Sequence, residues 1–429
     1  MNKAKIAKIT TFTGLSIVVA NMIGTGAFTS LGFQVEELHN TLSILSLWIV
    51  GGILALSGAF SYAEVGTVIR KSGGEYAFLS HIYHPLAGYL SGWISLTVGF
   101  AAPVALSTIA FVEYLPVNVA YPKICGILLI AGITLVHSYD LKLSSRFQNV
   151  SASFKILLIV ALILAGMIAP AGDGGALDFG ASYTGEITSA AFAVALIYVS
   201  YSYSGWNAAA YITGEFRNPA KSLPIALIGG TLLVTILYTA LQYVFLKHVP
   251  REELAGAINI GSIAVRNILG NGFGNLFGAA ISLLLVSGIS AMIWVGPRVT
   301  AGIAEDHPLW RYFRYNASGI PVKALWLQFA VSAVLLLTGT FEQIMVYCGI
   351  LLTVSTLMVV AGVFILRRRD TRSPGYKSPL FPLFQAIFIG ISLWIIFFAL
   401  VNNPLETLLG LINLALGCAT YYAGKITYK

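Results

Sequence analysis

The sequence predicts an all-α integral membrane protein of about twelve transmembrane helices, with the first and sixth broken at mid-depth. Composition, the number of long apolar runs and two polar interruptions inside those runs predict it. Hydrophobic residues make up 57% of the 429 residues and charged residues only 10%, and the mean hydropathy is +0.83. So few charges cannot clothe a fold of this size for water, and most of its surface must face lipid. No segment between the apolar runs is long enough to fold as a separate soluble domain, which argues against an enzyme.

Apolar runs of roughly 20 residues, the length that crosses a bilayer, fall at about 14–34, 41–66, 86–114, 122–138, 148–169, 187–213, 224–246, 274–303, 322–340, 343–366, 381–401 and 404–423. They are called spans 1 to 12. Span 1 lacks a signal-peptide layout, because Gly24 and Gly26 interrupt it and no small-residue cleavage site precedes a soluble domain. The whole chain reads as one membrane domain.

Lys and Arg concentrate on one side of the predicted topology. Lys3, Lys5, Lys8, Arg70, Lys71, Lys142, Arg146, Arg217, Lys221, Arg298, Arg311, Arg314, Lys323, Arg367, Arg368, Arg369, Arg372, Lys377, Lys425 and Lys429 share a face, whereas only Lys123, Lys247, Arg251 and Arg266 fall opposite. Cytoplasmic loops carry the excess of cations, so both termini are expected in the cytoplasm. The net charge of +8 then reflects topology, and no nucleic-acid partner is expected. Cys125, Cys348 and Cys418 lack paired spacing and the six histidines fall in no ligand motif, so neither a disulfide, a metal nor a cofactor is predicted.

Span 1 is interrupted at Asn21-Met22-Ile23-Gly24-Thr25-Gly26-Ala27-Phe28. Glycine costs about 1 kcal/mol relative to alanine in a helix interior, and unpaired backbone at membrane depth is tolerated only inside protein or along a cavity. An unwound segment here would offer free N–H groups at a half-helix end, where the dipole favours an anion. The alternative is close helix packing through small residues. Span 6 carries a second break, Ser200-Tyr201-Ser202-Tyr203-Ser204-Gly205-Trp206-Asn207. The odd offset of five helices reverses direction through the membrane. Residues 10–170 and 186–367 are therefore expected to form an inverted repeat, with two additional helices in 379–423, and paired breaks in such repeats point to a substrate site.

The Gly24–Phe28 run resembles the GSGIF-type motif of the amino acid–polyamine–organocation transporters. Gly73-Gly74-Glu75-Tyr76 before span 3, and the stretch from Tyr201 through Gly205-Trp206-Asn207 to Gly214-Glu215-Phe216-Arg217-Asn218-Pro219 and Pro224, are similar to the same family, especially its L-amino-acid-transporter-like branch. The resemblance implies a LeuT-type fold of 5 + 5 inverted helices plus two, moving free amino acids by alternating access. It also implies that Met22, Thr25 and Gly26 hold the substrate carboxylate, that Tyr201, Ser202 and Ser204 lie where span 6 carbonyls receive the α-amino group, and that Tyr201 closes over the bound side chain. The chemistry of the two half-helix ends agrees, since an N-terminal end suits an anion and exposed carbonyls suit a cation. The alternatives are a packing role for Tyr201 and a hydroxyl bonded back to its own helix for Thr25.

Lys155 lies within span 5, where a charge costs at least about 2.5 kcal/mol and calls for a partner or a function. One alternative is snorkelling, because Lys155 sits only about 10 Å inward from the start of the span at 1.5 Å per residue. The resemblance implies instead that its ammonium sits beside unwound span 1, where sodium-coupled relatives hold sodium. Transport would then be sodium-independent, driven by protons or by exchange. Glu64, Glu215 and Arg298 sit toward cytoplasmic ends of spans, where a Glu–Arg pair could close an inner gate; simple interfacial anchoring is the alternative. Gly24, Ser287 and Ser290 are candidate pocket residues, and Arg367-Arg368-Arg369 is expected to serve topology and anionic-lipid contact.

Spans 1, 3, 6, 8 and 10 show no acidic residue at middle depth, which argues for a neutral L-amino acid. Met22, Ser204 and Ala27 depart from the family pattern toward a smaller or more polar site, so a cationic amino acid or polyamine is the second candidate. A sensor that binds without transport is the alternative of another class; a channel would need a continuous polar path. Small-molecule substrate, protons and membrane lipids are the partners expected, a partner subunit is left open, and the layout suits a bacterial inner membrane.

Overall fold

The computed structural model describes residues 9–139, 144–171, 174–369 and 375–427. Lys3, Lys5, Lys8, Lys142, Arg372 and Lys429 lie outside the described residues, as does the side chain of Arg146. All twelve spans are helical. Span 1 runs over Thr11–Met22, breaks, and resumes as Gly26–Thr29 and Leu31–Glu37. Span 2 is Thr41–Ile69, span 4 Pro122–Tyr139 and span 5 Ser144–Ile168. Span 3 joins Pro85–Ile94 to Ala101–Tyr114 through a wider π turn, and span 7 joins Pro219–Pro224 to Gly230–His248 in the same way.

Span 6 is Ala190–Ser202 followed, after its break, by a 3-10 stretch Ala208–Glu215. Spans 8 to 12 are Asn271–Asp306, Val322–Thr338, Phe341–Arg369, Leu383–Asn402 and Pro404–Thr427. Among the described residues nine helices are long and apolar enough to cross a membrane. The helices of spans 5, 6 and 9 are shorter over the residues searched, that of span 6 because the break divides it.

The ends of these helices follow local chemistry. Asn40 caps span 2 by accepting the Leu42 N–H at 2.8 Å, and Ser189 caps span 6 by accepting that of Phe192 at 3.2 Å. Pro85 and Pro219 open their helices, where a missing N–H costs nothing. The ladder of span 2 stops at Arg70, which adopts a left-handed conformation with φ 51°.

Several short helices lie outside the expected spans, among them Gly74–Ile82 after span 2 and Ile260–Leu269. Ile260–Leu269, between spans 7 and 8, buries Ile260, Ile263 and Ala264 while Arg266 pairs outward with Glu253 at 2.7 Å. It packs against the end of span 1: the Gly261 N–H reaches the Tyr114 hydroxyl at 3.1 Å, which in turn donates to the Phe28 carbonyl. Near the same end, Arg251 donates to the carbonyls of Val35 and Leu38, closing the last turn of span 1. The apolar core surrounds both breaks, with Trp48 fully buried and its indole N–H on Gln34 at 3.0 Å.

Candidate functional site

The helix of span 1 ends where Ile23 turns to ψ 86°, its N–H making the final bond to Val19, and helical bonding restarts at Gly26. Unwinding frees carbonyls that lipid could not satisfy, and side chains from three other spans take them. The Tyr238 hydroxyl donates to the Met22 carbonyl. Gln242 donates to Ala27 at 2.9 Å, Tyr114 to Phe28 at 3.1 Å, and the Lys155 ammonium lies 3.4 Å from the Ile23 carbonyl. Sequence reasoning missed Tyr238, Gln242 and Tyr114. A signal existed for two of them, since Tyr238 and Gln242 stand four residues apart, on one face of span 7.

Span 6 unwinds after Ser202. Gly205 takes φ +96°, a conformation that favours glycine, and the chain regains 3-10 bonding at Ala208. The two breaks cross in contact. A Cβ on Gly26 would stand 2.6 Å from the Cα of Ser202, and one on Gly205 would stand 2.9 Å from the carbonyl of Asn21. Only glycine allows this approach from both sides.

The predicted residues gather at this crossing. Thr25, Tyr201 and Ser202 are buried, and the Thr25 side chain neighbours that of Tyr201. Ser202 donates to the Tyr198 carbonyl at 2.8 Å and meets Ser30 at 3.1 Å. Ser204 is half-buried within the turn, and its N–H bonds back to the Tyr201 carbonyl at 2.9 Å. Met22 enters with its backbone, while its side chain packs in the core.

Lys155 does not reach toward the membrane surface; its ammonium points at the span 1 break. Beside it lies a cavity of about 20 Å³ lined by Ile23, Gly24, Phe28, Lys155, Ile281, Leu284 and Leu285, room for about one water. On span 8, Gly288 faces the same ammonium, a Cβ there standing 3.6 Å away. Ser287 is buried close by in sequence, whereas Ser290 bonds to His137 of span 4 at 2.8 Å.

The expected Glu–Arg pair forms with a different arginine. Glu64 receives both arms of Arg367 at 2.7 and 2.8 Å, together with the Ser378 N–H at 2.8 Å. Arg367, expected to serve topology and lipid contact, is instead turned inward and stacked 3.9 Å from the Phe381 ring. A buried carboxylate and a half-buried, fork-shaped guanidinium gain more from each other than from separate surfaces. Arg298 lies 3.8 Å over Trp294 on its own helix. Glu215 contributes its backbone: its carbonyl accepts the Ile9 N–H at 2.9 Å, and Arg217 returns a bond to the Ile9 carbonyl. That bridge seats the first turns of span 1 against Phe216, whose ring fills the space Gly14 leaves open.

Glu75 is the acid that sequence reasoning passed over as part of a motif. It is 3% exposed and accepts hydrogen bonds from Tyr62 at 2.8 Å, Asn207 at 2.7 Å and Ser355 at 3.1 Å. Asn207 is the last residue of the span 6 break.

Residues 9–419 match a family model described as amino acid permease. The chain is 28% identical over 439 residues to b(0,+)-type amino acid transporter 1 of Mus musculus, covering 97% of this chain and 87% of that protein. It is 26% identical to the cystine/glutamate transporter of Homo sapiens, over 97% of this chain and 84% of the relative. Serine/threonine exchanger SteT of Bacillus subtilis is 25% identical, over 96% and 95% of the two chains.

Proposed function

The chain belongs to the amino acid permease family, a family of membrane transporters and not enzymes, and from that premise we propose that it exchanges neutral L-amino acids across the membrane by alternating access, without sodium. The observation that carries this reading is the crossing of the two breaks at Gly26–Ser202 and Gly205–Asn21. A zwitterion needs an anion-favouring helix end and a cation-favouring set of carbonyls within a few ångströms, and crossed half-helices supply both. In this reading Thr25 and Gly26 hold the carboxylate, the unwound carbonyls around Tyr201, Ser202 and Ser204 hold the ammonium, and the Tyr201 ring closes over the side chain. Exchange is favoured by the relative named a serine/threonine exchanger.

Lys155 supports sodium independence. An ammonium 3.4 Å from the Ile23 carbonyl is a fixed cation at the break, where a mobile one would otherwise compensate the unwound carbonyls. The cation bias of the loops supports cytoplasmic termini, and the odd offset of the breaks supports an inverted repeat of 10–170 and 186–367.

The test is uptake of radiolabelled neutral L-amino acids into proteoliposomes, with sodium, proton gradient and internal amino acid varied separately. Uptake should require internal amino acid and ignore sodium. Strict sodium dependence would remove the role given to Lys155, and substrate binding with no flux under any gradient would make the protein a sensor. In the same assay Lys155→Met is expected to lower exchange at least about tenfold, the effect of losing a charged donor to a buried acceptor. Exchange at the unsubstituted rate would show the ammonium to be dispensable.

A further inference from the structure

We propose that Glu75 is a positioning residue that latches the second half of span 6 shut on the side carrying the termini. The inference rests on the transport reading. Glu75 stands at the start of the short helix Gly74–Ile82, yet its hydrogen-bond donors come from three spans. Tyr62 of span 2 and Asn207 of span 6 share Oε1, Ser355 of span 10 takes Oε2, and Tyr211 of span 6 lies nearby.

The three hydrogen-bonding partners, Tyr62, Asn207 and Ser355, all donate. An ionised carboxylate is the side chain of this size that accepts at every position, with room for about four bonds on two oxygens. The same turn grips span 6 through its backbone as well. The Gly73 N–H bonds to the Tyr211 carbonyl at 2.9 Å, the Gly214 N–H to Ser72 at 3.1 Å, and Gly74, at φ +56°, lets the Tyr211 ring lie where a Cβ would be. Asn207 and Tyr211 bracket the restart of span 6 below the break. With the latch made, that half-helix is tied to spans 2 and 10; any inward opening that moves it must part the carboxylate from its donors.

Cys348 reports on the latch. It lies on span 10 beside Tyr201 and is fully buried, so a thiol reagent reaches it only through an opened path. In a Cys125→Ser, Cys418→Ser background, membrane vesicles of either orientation are treated with a membrane-impermeant methanethiosulfonate reagent and the rate of Cys348 labelling is measured. E75Q keeps the volume but turns donors toward donors. Labelling from the terminus side is expected to rise about tenfold, as for loss of one or two charged hydrogen bonds, with no rise from the opposite side.

E75D, which keeps the charge on a shorter arm, should fall between the two. No acceleration in E75Q overturns the proposal, and so does equal acceleration from both sides, which would mean a loosened fold. If E75Q does not accumulate as folded protein, Tyr62→Phe and Ser355→Ala each remove one donor and leave the carboxylate. Each should accelerate labelling about threefold from the terminus side only, and unchanged rates in both sink the assignment. Labelling needs no flux, so a chain that carries no amino acid would fail the transport reading while the latch was still tested.

Discussion

Gly26→Ala is expected to cut exchange more than tenfold. The added Cβ would stand 2.6 Å from the Cα of Ser202, and backbone cannot rotate out of the way as a side-chain tip does. Overpacking of this kind costs about 1–3 kcal/mol and moves backbone. Here the backbone that moves is the pair of half-helices whose separation sets the binding geometry. The chain would still fold, because spans 1 and 6 retain their flanking helices, so the measured loss should lie in transport and substrate binding.

A matched control is Gly390→Ala on span 11, where nothing lies within 4 Å of the built Cβ. That variant should exchange at the unsubstituted rate, since alanine in a helix is favoured over glycine. Proteoliposome exchange and substrate-induced rise in unfolding temperature measure both. Normal exchange by Gly26→Ala would mean that the two breaks need not touch for transport.

Breaking the Glu64–Arg367 pair should cost stability more than any other single change near the termini. Glu64 has a side chain only 5% exposed and Arg367 one 26% exposed. Arg367→Ala strips both arms from the carboxylate and leaves it the Ser378 N–H alone. Removing one partner of a buried pair costs about 3 kcal/mol or more, whereas replacing both with well-packed neutral groups costs far less. Arg367→Ala should therefore unfold at a clearly lower temperature in detergent, and the double variant Glu64→Gln, Arg367→Met should recover much of that loss. A single variant as stable as the parent, or a double variant worse than the single, would show that the pair carries no such weight.

The elements legible in the sequence were those with local causes. Span 1 breaks at Ile23–Thr25, inside the interval read from Gly24 and Gly26, because two glycines so close cannot sustain a helix against an available alternative. Span 6 breaks at Gly205 for a related reason: only glycine takes φ +96° without strain. The contact between these breaks could be expected from helix counting, but not its closeness. Lys155 was legible as a charge needing a partner; that the partner is the Ile23 carbonyl and not the interface depended on how span 5 is rotated. The Ile260–Leu269 helix was hidden because its apolar face is too short to stand out beside membrane spans.

The sequence by itself determined the twelve spans, their breaks and the family, because each depends on one-dimensional matching of apolar length to a bilayer and on the backbone freedom of a few glycines. The tertiary structure alone decided the polar partnerships. Glu64 chose Arg367, 303 residues away, over Arg298; Glu75 drew donors from positions 13 to 280 residues distant; Tyr238 and Gln242 took carbonyls of span 1 more than 200 residues before them. Such pairings depend on the rotation and depth of each packed helix, and an apolar run looks the same in sequence whichever face it turns inward.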